Sequence, residues 1–425
     1  MKKRLMTSTA VAVALATGLS SGLPAPASAS GGTLTVWLMT GDTQPAVYNA
    51  VNAAFAKQYP GWTVNVEIQQ WSGIASKLTA ALAGSSPPDV MEIGNTDVAE
   101  FAASGGLANL APDKGQFQNS SQWLSGLEGP AEYDGGLYAV PELAGDRVVV
   151  YNKAMFRQAG ISRPPATLDQ LLADGAALKN RFAKVKDFSA LYLPGEEWYA
   201  ALPIVWAYGG QIAVQKAGRW VGDLESKASL AGLHEYQVVQ NYLSTPASRD
   251  VNEANPSDAA VFASGKAAMF IDGTWTLGQV ISDNKKMAGQ IGTFILPGPV
   301  AGKPAPVFLG GSDLAIAKNS PNQAQALAWV KLYTGTAAQE LQTKLEGFIP
   351  NASNLIGLVK VAPDVANYFK AASVSNFTPP VPGWATVEAD NVMQDLFAQL
   401  AEGNQNVEAI AKSYDNKLDV LLNAH

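Results

Sequence analysis

The sequence contains no cysteine and only two histidines in 425 residues. The first absence excludes a disulfide scaffold, a thiol nucleophile and a cysteine-based metal site, and the second excludes a histidine-rich one. It also removes the cysteine that a lipoprotein needs at its cleavage site. Charged residues are sparse at 15%, and the balance is acidic, with a net charge of −7 and a pI near 5.0. An acidic chain argues against nucleic acid or an anionic membrane as partner. Beyond the N-terminal segment, no apolar run is long enough to span a bilayer. The chain has no H-E-x-x-H and no G-x-S-x-G, and Gly265-Lys266 lacks the upstream Gly and the following Ser or Thr of a phosphate-binding loop. No metal or cofactor is implied.

What the chain does have is aromatic surface: 10 Trp and 13 Tyr. Each offers a flat apolar face and a polar edge, which suit the C–H face and hydroxyl rim of a sugar. The N-terminus reads as an export signal. Lys2, Lys3 and Arg4 precede the apolar segment Thr9–Leu19, and Ala25-Pro26-Ala27-Ser28-Ala29 offers a small-residue cleavage site after Ala29. Its removal leaves an exported chain of net charge −10, periplasmic, extracellular or associated with the cell surface. A chain of this length predicts two domains.

The first part alternates strands and helices. Leu34–Leu38, Val64–Ile68 and Asp89–Ile93 read as strands, separated by helices over Pro45–Tyr59 and Ile74–Leu82. A β-α-β-α-β run implies a parallel sheet with helices on its faces. Ligands of such sheets bind beyond the carboxyl ends of the strands. Those ends carry Asp42, then Gln69, Gln70 and Trp71, then Asn95, Thr96 and Asp97, a set that hydrogen-bonds hydroxyls and contains no nucleophile. Further on, Asp146 and Arg147 either pair with each other or offer a carboxylate and a planar donor fork to a ligand. Thr167 is a candidate N-cap for the helix that follows. Glu196-Glu197-Trp198-Tyr199 invites a glycosidase reading, but adjacent carboxylates rarely straddle one bond, and the aromatic pair fits a stacking platform better. Trp220, after a hairpin-like Gly218 turn, reads as structural, and His234 as a surface or packing residue. Pro297-Gly298-Pro299 with Pro304 reads as an interdomain linker.

Four blocks occur in an order that resembles one family. They are L-T-V-W with S-S-P-P-D-V-M-E-I-G-N, then G-x-x-Y-x-V-P followed by Y-N-K, then Phe262–Trp275 in the form F-x-x-G-K-A-A-M-x-x-x-G-x-W, and a partly kept block around Gly310-Gly311. The chain is similar to the extracellular solute-binding proteins of ABC sugar importers, among them maltose-binding protein and actinobacterial oligosaccharide-binding proteins. The resemblance implies an α/β, two-lobe periplasmic-binding-protein fold of type II, with hinge-linked lobes and the ligand cleft between them. The expected division is residues 1–29 as signal peptide, 30–141 and 305–335 as the first lobe, and 142–300 and 336–425 as the second lobe with the C-terminal helices. It further implies that Trp71, Trp198, Trp275 and Trp384 sandwich sugar rings, with Tyr199 beside them. Asp42, Asn95, Thr96, Asp146 and Arg147 would bind hydroxyls, and Gly311 and Ser312 would form the cleft floor. The expected partners are a di- or oligosaccharide and a membrane-embedded permease, with the protein a monomer and not an enzyme. The other readings are a secreted glycoside hydrolase and a carbohydrate-adhering module.

Overall fold

Apolar alternation builds the first strand of the computed structural model, which describes residues 31–252, 255–358, 363 and 365–424. The expected signal peptide, residues 1–29, lies outside the described residues. Strand Gly32–Met39 buries Leu34, Val36 and Leu38 on one face, as a period of two requires. It pairs in parallel with Trp62–Gln69 on one side and Val90–Gly94 on the other. Helix Pro45–Gln58 covers this sheet through Val47, Val51 and Phe55, spaced four apart. Its Pro45 stands in the first turn, where a missing N–H costs no helical bond. Helix Ile74–Ala83 repeats the arrangement with Ile74, Leu78 and Leu82.

Segments distant in sequence complete this sheet. Gly310–Ile316 runs antiparallel to both Val90–Gly94 and Ala139–Gly145, and Ile349–Pro350 adds the outer edge. The resulting order is Ile349–Pro350, Ala139–Gly145, Gly310–Ile316, Val90–Gly94, Gly32–Met39, Trp62–Gln69.

A second sheet has Ala267–Asp272 at its heart, every residue buried, parallel to Ser189–Tyr192 and antiparallel to Val148–Asn152, with Ile291–Phe294 beyond. Its core gathers Trp198, Trp206, Tyr236 and Phe397. Helices Val392–Ala401 and Val407–Leu421 pack into this core. Thr167 caps helix Leu168–Arg181 by accepting from the Gln170 amide at 3.2 Å.

The passages between lobes differ from those expected. The first falls at Asp146-Arg147, between strands Ala139–Gly145 and Val148–Asn152, rather than at 141/142. The second falls at Leu309, between Val307–Phe308 and Gly310–Ile316. The Pro297–Pro304 turn is not a linker but closes on itself. Gly298 donates to Lys303 and Ala305 donates to Leu296 at 2.9 Å. Helix Thr336–Glu346 stays with the first lobe, because Asn351 just beyond it is tied into that sheet. Its amide side chain donates to Pro141 O at 2.8 Å, and its backbone N–H donates to Gln339 Oε1 at 2.8 Å. The third passage therefore lies between Ile349–Pro350 and helix Ala366–Ala371, where Asn367 donates to Thr293 O in the second sheet at 2.8 Å. A small apolar cluster with Val148, Leu309, Ile349 and Tyr368 packs at the three passages.

Candidate functional site

A cleft of about 770 Å³ opens where the loops after the first three strands face the second lobe. Nine of the twelve residues expected to contact a ligand line it: Asp42, Trp71, Asn95, Thr96, Arg147, Tyr199, Trp275, Gly311 and Ser312. The sheet topology explains the convergence. Asp42, Trp71 and Asn95-Thr96 follow the carboxyl ends of three parallel strands, and Arg147 and Gly311 flank the first two passages. Gly311 has φ of +152°, and a Cβ there would stand 2.1 Å from Leu143 O, so the floor admits only glycine.

In the first lobe, Asn95 Nδ2 donates to Leu309 O at 3.0 Å, which ties the loop to the second passage. Its Oδ1 accepts no bond from the described residues. Thr96 reaches across to the second lobe, its hydroxyl donating to Glu388 Oε2 at 3.2 Å. Behind Asp42 lie three buried acids that sequence reasoning missed, Glu92, Glu142 and Asp313. Burial pushes the Asp42 carboxyl up, and the polar groups of Glu92, Trp71 and Ser312 oppose the shift. Burial and then the charge of Asp42 push Glu92 well up, while its Oε2 accepts from Met39 N at 2.7 Å. Glu142 and Asp313 are fully buried and held well up for the same first reason. No local pattern marks such residues, because only the sheet stacks the strands that carry them.

In the second lobe Arg147 makes no hydrogen bond to the Asp146 carboxyl, although the Arg147 charge partly offsets the upward shift of that group. Its Nε stands 3.1 Å from Glu197 Oε1 and 3.9 Å from Asp272 Oδ1. The guanidinium lies between two aromatic faces, 4.7 Å from the Tyr199 ring centre and 5.4 Å from that of Trp275. Tyr199 is backed by Trp198 at 3.9 Å and by Phe308 at 4.9 Å.

Three expected contacts are corrected. Trp198, Trp384 and Asp146 do not line the cleft. Trp384 is fully buried, packs 5.9 Å from Trp198, and donates its indole N–H to Glu388 Oε1 at 2.8 Å. Trp198 in turn backs Tyr199. Both indoles therefore fill the core that holds the cleft wall, and the half-exposed indoles are Trp71 at 38% and Trp275 at 49%. Asp146 is buried at the first passage, its carboxyl pushed well up by burial. Phe308 and Phe348 also line the cleft. The signal for Phe308 is its place two residues before Gly310-Gly311.

Residues 40–340 match the model of a protein family described as bacterial extracellular solute-binding protein. The chain belongs to this family. Among relatives of the solute-binding protein, the diacetylchitobiose binding protein DasA of Streptomyces coelicolor is 36% identical over 384 residues, 89% of this chain and 88% of that one. A putative binding protein of Brucella abortus is 25% identical over 88% of this chain and 89% of its own length. Of solved structures, the sugar-binding protein MalE of Xanthomonas citri superposes with a TM-score of 0.81 at 23% identity, covering 92% of this chain and 97% of that one. The GacH receptor of Streptomyces glaucescens does so with a TM-score of 0.72 at 24% identity, covering 92% and 98%. The fold is thus the two-lobe, type II periplasmic-binding-protein fold. The family and these relatives are binding proteins by name, and the family is extracellular.

Proposed function

We propose that this solute-binding protein is the sugar-capturing component of an ABC importer, taking up a di- or oligosaccharide outside the cytoplasmic membrane for delivery to a permease. The observation that carries this reading is the pairing of two half-exposed indoles, Trp71 and Trp275, with a rim of uncharged and singly charged hydrogen-bonding groups in one interlobe cleft. The aromatic faces would take sugar C–H faces. Asp42, Asn95, Thr96, Arg147 and Ser312 would take hydroxyls and amide groups. Within a closed cleft each such bond is selective, because an unmatched buried polar group costs roughly 1–3 kcal/mol. The name of the Streptomyces coelicolor relative favours diacetylchitobiose as the first sugar to try. Closure about the three passages would convert binding into a shape that a permease reads.

Binding without cleavage is part of the proposal. Hydrolysis of a glycosidic bond needs two carboxyl groups flanking it, and among the described residues lining the cleft Asp42 is the one carboxylate. We read the protein as a monomeric, exported binder that acts without a cofactor.

A thermal-shift screen of residues 31–425 against mono-, di- and oligosaccharides, with product analysis of each mixture, tests this. A ligand at a hundred times its Kd adds about 2.7 kcal/mol of stability. A raised Tm with one sugar class and no cleavage is expected. Cleavage products would replace the reading with a hydrolase, and no shift with any sugar would remove the sugar class.

A further inference from the structure

A second cavity, of about 540 Å³, lies behind the hairpin Ala213–Gly222 and against the loop that follows Asn376. Its size falls within the range of small-molecule sites. Among the described residues, no charged residue lines it. Trp220 and Gln215 sit directly opposite each other in the hairpin, so their side chains share one face. Both line the cavity, together with Gln211, Asn376 and Thr378.

The wall is built rather than incidental. Asn423 clamps the Trp220 backbone, accepting its N–H at 3.1 Å and donating to its carbonyl at 2.8 Å. Among the described residues, the Trp220 indole N–H and the side-chain amides of Gln211 and Gln215 make no hydrogen bond within the protein. An aromatic face with unengaged neutral donors and acceptors suits a neutral polyol, and the absence of cations and anions disfavours phosphates, carboxylates and amines.

One residue pair links the linings of the cavity and the cleft. Phe308 lines the cleft beneath Tyr199, and in a short parallel ladder it pairs with Asn376, which lines the cavity. We propose that this cavity is an accessory carbohydrate subsite, which holds the further units of an oligosaccharide whose end lies in the interlobe cleft. The inference rests on the proposed sugar-binding function. It assigns Trp220 a ligand role where the sequence suggested only a structural one.

Calorimetry with diacetylchitobiose and with the corresponding tetrasaccharide tests it, on the unaltered protein, Trp220→Ala and Gln215→Ala. The tetrasaccharide is expected to bind the unaltered protein more tightly than the disaccharide. Trp220→Ala should weaken the tetrasaccharide about tenfold, the equivalent of roughly 1.4 kcal/mol, and leave the disaccharide unchanged. Gln215→Ala replaces an exposed strand residue, so it keeps the test alive should Trp220→Ala fail to fold; it should show the same selectivity with a smaller, severalfold loss. Equal losses for both sugars, or no loss for either in a folded variant, would overturn the subsite. Failure of both sugars to bind the unaltered protein would instead overturn the functional reading, and the subsite with it.

Discussion

The indole of Trp275 lies across Gly145: a Cβ on Gly145 would stand 3.0 Å from ring carbon Cζ3. Gly145 ends a strand of the first sheet, whereas Trp275 begins a helix of the second lobe, so this contact joins the two walls of the cleft. Adding a methyl group here forces the ring to give way. Because Trp275 is half exposed it can swing outward at little cost to the fold. Gly145→Ala should therefore weaken sugar binding by about tenfold, roughly 1.4 kcal/mol, with stability changed by no more than about 0.5 kcal/mol. Calorimetry and urea denaturation check the two halves of this statement, and undiminished affinity would show that the ring's position is not needed.

Trp275 and Trp384 both stand in the first turn of a helix, yet their replacement should fail in opposite ways. Trp275→Ala removes a face that water already touches, so binding should weaken by more than about tenfold while the fold persists. Trp384→Ala empties a fully buried site and strands its partner Glu388. It should cost about 3–5 kcal/mol of stability. If denaturation midpoints of the two variants coincide, the division into ligand face and core is wrong.

Arg147 is the cation beside Glu197 and Asp272, both nearly buried. Arg147→Met keeps the apolar stem but leaves two carboxyl groups without their charge partner. A loss of about 3–5 kcal/mol is expected, together with loss of the edge that Tyr199 and Trp275 enclose. Arg147→Lys should restore only part of either property, since an ammonium cannot supply a planar fork between two rings. Paired denaturation and calorimetric measurements on both variants test this.

Stability should fall as pH rises from the acidic range to neutrality. Burial, and then the charge of Asp97, pushes Glu388 up to about 7; burial brings Glu346 to about 7 and, with Glu100, Asp97 to about 6. The folded protein thus retains protons that the unfolded chain has lost, so stability has a negative slope with pH. The contribution is full below the ordinary carboxyl range and is lost between about pH 4 and pH 7. Tm should be higher at pH 5 than at pH 8. Glu388→Gln should lessen the corresponding difference in unfolding free energy by an amount on the order of 1–3 kcal/mol. A Tm that rises from pH 5 to pH 8 would contradict the assigned direction.

Much of the site is legible in the sequence, because strand ends and Gly turns are local features. The order of strands and helices over residues 32–103 follows from apolar periodicity, and the polar loops at Asp42, Trp71 and Asn95-Thr96 follow from that order. The capping role of Thr167 is equally readable, since a cap involves residues three apart. The lobe boundaries are less so. A Pro-Gly turn looks the same whether it links lobes or closes on itself, and the Pro297–Pro304 turn does the latter.

The sequence by itself determined the alternation of strands and helices, the placing of hydrogen-bonding residues at one end of the first sheet, and the aromatic supply, because each depends on neighbours within a turn or a strand. Tertiary structure alone decided which aromatics face solvent and which acids are buried. Trp384 and Trp275 stand in similar local settings, but the packing of Trp198, itself backed by Phe308, encloses one, while the other stays half exposed at the cleft. Glu92, Glu142 and Asp313 come together for the same reason: they lie on strands joined by long-range pairing, and exposure is a property of that pairing.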